Sequence, residues 1–198
     1  MMKKSKAKWQ YSMKILIAGD SFAADWSVKY PGKKGWPNLV GEEFDVTNIA
    51  QAGSSEYRIW KNLLKVDSTK FDKIIISHTS PYRIYVAKHP VHSSSLLHKD
   101  CDLLYSDAVE NNLHTIKDYF ENYYDLGYAV DIHQLIMNQI ATLAANAIHI
   151  GHIDVAQPKT IRLTSFSDVW KHNKGLINHY SDSGNKIIYN SILTLIKG

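Results

Sequence analysis

Three short apolar runs constrain this chain more than any other feature: Lys14 to Gly19 (KILIAG), Phe71 to Ser77 (FDKIIIS) and Ala147 to Val155 (AIHIGHIDV). Each is strand length, well below the ~18–20 apolar residues of a membrane span, and turn residues bound it. A strand with one wet face alternates apolar and polar residues. A near-continuous run has both faces covered, as inside a parallel sheet. Between the runs the period becomes helical. Trp36, Leu39, Val40 and Phe44 recur at helical spacing in Gly35 to Phe44, with Pro37 near the start, and Tyr57, Trp60, Leu63 and Leu64 form a stripe in Ser55 to Lys65 behind a serine cap. Asp45 to Ala50 adds another strand, and Ile187, Ile188, Ile192, Leu193 and Ile196 share one face of a closing helix, Gly184 to Ile196. Strands alternating with helices predict an α/β fold, with a parallel sheet, right-handed crossovers and helices on both faces.

The stretch Ser93 to Asn146 is helical for most of its length, with one helix around Leu103 to Tyr123, a break at Tyr124-Asp125-Leu126-Gly127 and a second helix around Ile132 to Asn146. It reads as a helical insertion where specificity is added to a single domain covering residues 14–198. A chain of 198 residues fits one domain, and residues 1–13 read as a flexible basic leader. Five of the 23 basic residues fall in the first fourteen positions, which hold no acid, so the net charge of +4 belongs mostly to the leader and predicts no nucleic-acid partner. One cysteine, Cys101, excludes an internal disulfide and a cysteine metal cage. With no apolar segment behind the basic leader to make a signal peptide, and no membrane span, the expectation is a cytoplasmic protein.

Open parallel sheets bind ligands beyond the carboxyl ends of their strands. Three loops there carry residues able to do chemistry. Gly19-Asp20-Ser21 displays a hydroxyl after the first strand, although these residues suit any tight turn. Gly53, after the second strand, lets a backbone N–H approach a ligand closely. Ser21 and Gly53 amides would then serve a tetrahedral oxyanion. Asn178-His179-Tyr180-Ser181-Asp182-Ser183-Gly184 precedes the last helix, and a histidine there can return to take the serine proton.

A serine after strand one, a glycine after strand two and a histidine before the final helix resemble the SGNH hydrolases, or GDSL esterases, over nearly the whole chain. Gly19-Asp20-Ser21 matches the first block, Gly53 the second, and His179 with Gly184 the last. The resemblance implies a flavodoxin-like three-layer α/β/α sandwich around five parallel strands, Ser21 as nucleophile, His179 as base, and no cofactor. It also implies substrates that are carboxylic esters, often acetyl groups on carbohydrates, or lipid and thioester acyl groups.

Two departures stand out. Where the family has Gly-x-Asn-Asp after strand three, this chain has His78-Thr79-Ser80-Pro81-Tyr82-Arg83, with Ser80 in place of the oxyanion-binding Asn. A hydroxyl of Ser80 or Thr79, or the Arg83 side chain, would have to substitute. The family's Asp-x-x-His is also broken, because the residue three before His179 is Leu176. Asp168 is the expected orienter, with Asp182 or a backbone carbonyl as alternatives.

Two histidine spacings, His89-x-x-His92 and His149-x-x-His152-x-Asp154, look like metal sites, but strand residues three apart, such as His149 and His152, point to opposite faces, and a surface or structural use is expected. Tyr119, Tyr123, Tyr124 and Tyr128 read as a helical packing face with hydroxyls at its rim. The functional expectation is a serine esterase for a small acyl ester on a small molecule or carbohydrate. An O-acyltransferase using the same site, or a catalytically weak binding protein, are the alternatives.

Overall fold

A computed structural model describes residues 13–92, 94–153 and 155–198. Residues 1–12 of the expected leader, Ser93 and Asp154 therefore lie outside the described residues. Met13 already belongs to the domain: it packs on the core, and its carbonyl accepts from the Asp45 N–H at 3.1 Å.

In chain order, β1 (Lys14–Gly19), α1 (Trp36–Val40), β2 (Asp45–Asn48), α2 (Glu56–Leu63) and β3 (Lys73–His78) form the first half. The second half comprises α3 (Tyr105–Glu110), α4 (His114–Asn122), α5 (Leu126–Leu143), β4 (Ile148–Gly151), β5 (Leu163–Ser165), α6 (Ser167–His172), β6 (Lys174–Ile177) and α7 (Asp182–Lys197). Five strands form one parallel sheet in the order β2-β1-β3-β4-β5, the flavodoxin-like arrangement. The short β6 stays outside it and folds back onto Tyr180.

Alternation along β1 fixes the layers. Ile15 and Ile17, with Ile75 and Ile150, face the side covered by α1 and α7, while Leu16 and Ala18, with Ile74 and Ile76, face α2 and α5. Each fully buried aliphatic side chain contributes roughly 1.5–3 kcal/mol. A one-residue slip would exchange the two sets, so the register is strongly specified. The loops after β1, β2 and β3 consequently meet at one edge.

The middle of the chain departs from its expected outline. The helix expected over Leu103 to Tyr123 is two helices, α3 and α4, separated at Asn112, whose φ is +53°. The second helix starts earlier than Ile132, because Asp125 in the supposed break is an N-cap whose Oδ1 accepts from the Tyr128 N–H at 2.6 Å. α5 packs on α2 and forms the crossover between β3 and β4. β5, α6 and β6 are too short to carry a readable period.

Candidate active site

The turn after β1 is tied down from several sides. The Asp20 carbonyl accepts from the Ala23 and Ala24 N–H groups at 3.0 and 2.9 Å. Its carboxylate accepts from the Phe22 N–H at 3.0 Å, the Ser77 hydroxyl at 3.4 Å and the Thr79 side chain. Burial dominates its titration and lifts its pKa to about 6, against the lowering influence of Arg83 and these hydrogen bonds. Ser21 itself is 6% exposed, and its carbonyl accepts from the Trp26 indole N–H at 2.8 Å.

His179 arrives from the other end of the chain on a strained loop. Asn178 and His179 are consecutive L-residues in the left-handed region, with φ of +50° and +63°. Such a pair persists only where its surroundings hold it. Asn178 supplies much of that hold: fully buried, its Nδ2 donates to the Ala24 carbonyl at 2.8 Å and the Ser21 carbonyl at 3.3 Å. Gly35 makes room for it, since a Cβ there would sit 1.6 Å from Asn178 Oδ1. Asn185 of α7 completes the loop, with its Oδ1 accepting from the Trp36 N–H and its Nδ2 donating to the Ile177 carbonyl, both at 2.9 Å.

The outcome is a His179 Nε2 to Ser21 Oγ distance of 2.8 Å. The imidazole lies among rings, 4.6 Å from Phe22 and 5.4 Å from Trp26 between centroids. Burial, then the charges of Arg83 and His98, lower its pKa to about 4. It is therefore neutral near pH 7, able to accept the serine proton at Nε2 with its own proton on Nδ1.

The structure does not bring Asp168 to His179. α6 places Asp168 on the solvent side, where its side chain is 86% exposed and pairs with Lys171 at 3.4 Å. Asp182 is exposed at the start of α7. Among the described residues neither a carboxylate nor a carbonyl accepts from His179 Nδ1. Rings and the Asn178 clamp hold this imidazole instead.

Gly53 has a φ of +76°, and a Cβ added to it would lie 2.5 Å from Cys101 Cβ. Its carbonyl accepts from the Asp102 N–H at 2.8 Å, leaving its own N–H, like that of Ser21, without an acceptor among the described residues. Asp102 fastens this corner: its carboxylate accepts from the Ser55 N–H at 2.8 Å, the Val86 N–H at 3.1 Å and the Arg58 guanidinium at 2.6 and 3.0 Å. Arg83 reaches the same place, with Nη1 3.7 Å from where the Gly53 Cβ would be. Thr79 is spent internally, because its N–H donates to Glu56 Oε2 at 3.2 Å and its side chain bonds Asp20. Ser80, half-buried, opens instead into a neighbouring cleft.

Sequence reading missed a buried polar cluster on the α2/α5 side. Glu56 Oε1 lies 2.6 Å from His78 Nδ1, and His78 Nε2 lies 2.8 Å from His149 Nδ1. His133 Nε2 lies 2.9 Å from the Thr79 carbonyl and 3.4 Å from Glu56 Oε2. Burial alone would raise the Glu56 pKa, yet the His78 charge and the hydrogen bonds from both histidines hold it at about 2. Burial pushes His149 down to about 4. These residues stand far apart in sequence, and only the sheet register brings His78 and His149 together.

The two histidine spacings end in different surroundings. His149 points to His78, whereas His152 is buried on the opposite side, stacked on Phe22 and 2.7 Å from the Tyr180 hydroxyl. His89, His92 and Cys101 bring ligand atoms within 4.8 Å of one another, a proximity the sequence did not reveal. His89 Nδ1 accepts from the Val91 and His92 N–H groups at 3.2 Å, which places its proton on Nε2, 3.5 Å from Asp107. That ring caps a loop and presents a donor rather than a lone pair to its neighbours. The tyrosines also differ from expectation: they come from several elements and line a cleft, with Tyr123 and Tyr128 largely exposed.

No family model and no curated protein matches this chain. Among solved structures, a protein assigned to the G-D-S-L lipolytic family from Desulfitobacterium hafniense DCB-2 is similar over 90% of this chain and 96% of that one, at 15% identity and a TM-score of 0.38. At that score the likeness is distant, and it carries neither activity nor substrate to this chain.

Proposed function

We propose that this protein is a serine esterase of the SGNH type acting on a small acyl ester, with acetyl the best fit. The observation that carries this reading is the 2.8 Å contact between His179 Nε2 and Ser21 Oγ, made across 158 positions of chain by a strained loop. Ser21 Oγ attacks the ester carbonyl as His179 Nε2 takes its proton. The oxyanion is received by the Ser21 and Gly53 N–H groups, with Arg83 rather than Thr79 or Ser80 as the third donor, because its Nη1, which donates to the Asp102 carbonyl at 3.4 Å, stands beside Gly53 and no carboxylate among the described residues pairs with it. Collapse expels the alcohol, which takes the proton from His179, and water repeats the sequence to free the acid. The near-complete burial of Ser21 beneath Trp26, with Leu97 packed on Trp26 and Ala52, favours a short acyl group.

The unpartnered Nδ1 of His179 favours a second reading, a catalytically weak binding protein on the same scaffold. Loss of a proper orienter costs up to ~10⁴ in kcat in a triad. Fluorophosphonate labelling and p-nitrophenyl acetate turnover separate the two. The esterase reading expects labelling of the wild type and loss of both signals in Ser21→Ala. Background turnover equal in both proteins, with no label, would overturn it. An O-acyltransferase would label equally and differ by consuming ester faster when a sugar acceptor is added.

A further inference from the structure

The residue after the expected nucleophile and the residue after the expected base are held by one buried imidazole. His152 directly follows β4 and is fully buried at the edge where Ser21 and His179 meet. Its ring lies parallel to that of Phe22, with centroids 4.9 Å apart and planes 1° apart, and its Nδ1 lies 2.7 Å from the Tyr180 hydroxyl. Phe22 and Tyr180 also meet each other edge to face at 5.8 Å, and Phe22 is the ring packed on His179 at 4.6 Å. Trp36 and Phe166 stack on the same imidazole at 6.2 and 5.6 Å.

The proton positions follow from the partners. Burial and the nearby Asp20 push the Tyr180 phenol up, so it keeps its proton, while burial lowers His152 to about 3 and keeps that ring neutral. Among the described residues the phenol has no other hydrogen-bond partner, so its O–H donates to His152 Nδ1 and the imidazole proton sits on Nε2. Nε2 is buried with no partner. An orphaned buried N–H is costly, and a phenylalanine would fill the same aromatic surroundings without one. What histidine adds here is an acceptor for Tyr180. The main chain on either side of Tyr180 is already tied, since the His179 carbonyl accepts from the Gly175 N–H at 3.0 Å and the Ser181 N–H donates to the Asn173 carbonyl at 2.8 Å. His152 supplies the polar anchor of the side chain between them.

We propose that His152 is a positioning residue for the Ser21 and His179 pair: by stacking on Phe22 and accepting from Tyr180, it locks the neighbours of both groups and keeps the His179 imidazole directed at Ser21 Oγ. Among the described residues no carboxylate meets His179 Nδ1, so the orientation of that ring rests on packing and on the loop that carries it. His152 acts through Phe22 and Tyr180, not on the reacting atoms. The proposal rests on the esterase reading for its effect on rate, but not for its effect on the His179 ring.

Three variants of the full chain test it. Tyr180→Phe deletes the hydroxyl, His152→Phe deletes the acceptor and keeps a ring against Phe22, and the double variant deletes both. The two groups share one bond, so kcat for p-nitrophenyl acetate and the rate of Ser21 labelling by a fluorophosphonate should fall about 3–10-fold in either single variant, with KM unchanged, and no further in the double variant. The double variant leaves no orphaned polar atom, so its melting temperature should equal or exceed that of either single variant. Activity then falls where stability does not, which a merely structural role would not produce. Nitrogen-15 NMR of His179 is independent of turnover: its titration, at about 4 in the wild type, should move upward in each variant as the loosened ring meets water, with Arg83 and His98 still in place. An unchanged His179 titration in folded Tyr180→Phe, or single effects on labelling that multiply in the double variant, would overturn the proposal. A wild-type protein that takes no label would overturn the esterase reading instead, with the NMR titration still deciding the role of His152.

Discussion

Two histidine networks lie at the same edge of one sheet and are complementary in what they lack. His179 has a hydroxyl partner in Ser21 but no carboxylate, whereas His78 has a carboxylate in Glu56 but a second imidazole, His149, where a nucleophile would be. The difference follows from position. Glu56 opens α2 and is 3% exposed, so its charge survives only through bonds from His78, His133 and the Thr79 N–H, and it serves to fix the loop after β3. His179 sits on a loop at the surface of the edge, where burial holds its pKa down to about 4 and keeps it neutral near pH 7. One network stabilises the frame; the other is available for chemistry.

The largest effect should come from breaking the carboxylate network. Glu56→Ala removes one partner of a buried, hydrogen-bonded cluster and is expected to cost about 3–5 kcal/mol of stability. For a domain of this size that corresponds to a melting temperature lower by roughly 6–20 °C. Ser21→Ala removes one hydrogen bond and should cost about 0.5–1.5 kcal/mol while abolishing turnover. Thermal and urea unfolding of both variants would break the comparison if Ser21→Ala proved the more destabilised.

A smaller effect is expected at the clamp that substitutes for the missing orienter. Asn178→Ala releases the Ser21 and Ala24 carbonyls and leaves the left-handed His179 loop without its anchor. Catalysis depends on near-attack geometry, so kcat should fall about 10–10²-fold with KM little changed. Gly35→Ala should mimic it, because the new Cβ takes the space of Asn178 Oδ1. A fall in KM-dependent terms alone, at constant kcat, would show that Asn178 serves substrate binding instead.

The frame and the meeting of the Ser21 and His179 loops were legible for the same reason: both follow local rules. Apolar runs predicted β1 and β3, and a serine, a glycine and a histidine at three loop positions predicted which loops would meet. What escaped was long-range. Asp168 was chosen by sequence distance alone, and α6, too short to show a period, turns it to solvent. Glu56 looked like a helix-start acid and His133 like one polar residue on a long helix. Only the packing of α2 on α5 and the pairing of β3 with β4 make them a cluster. Asn178 carried no signal beyond its place beside His179.

The smallest effect is a shift in pH dependence, and its sign distinguishes the two networks. The His179 pKa is lowered from 6.5 to about 4 by burial first and then by Arg83 and His98. Since only the neutral imidazole accepts the serine proton, kcat/KM should stay level from pH 7 to about 5 and fall through pH 4. Arg83→Met removes a repelling charge and should move that acid limb upward, whatever it does to the plateau. Stability follows its own course. His149, His152 and His179 all have folded pKa values below the unfolded one, so each loses stabilisation as pH falls from about 6.5. Glu56, also depressed, adds its loss as pH falls from about 4.5 toward 2. Asp20 opposes them, because its raised pKa gives stabilisation that is lost as pH rises through about 6. Circular dichroism at each pH of the kinetic profile separates inactivation from unfolding. An acid limb near 6.5 in a fully folded protein would mean that a carboxylate does reach His179, and the contrast between the two networks would fail.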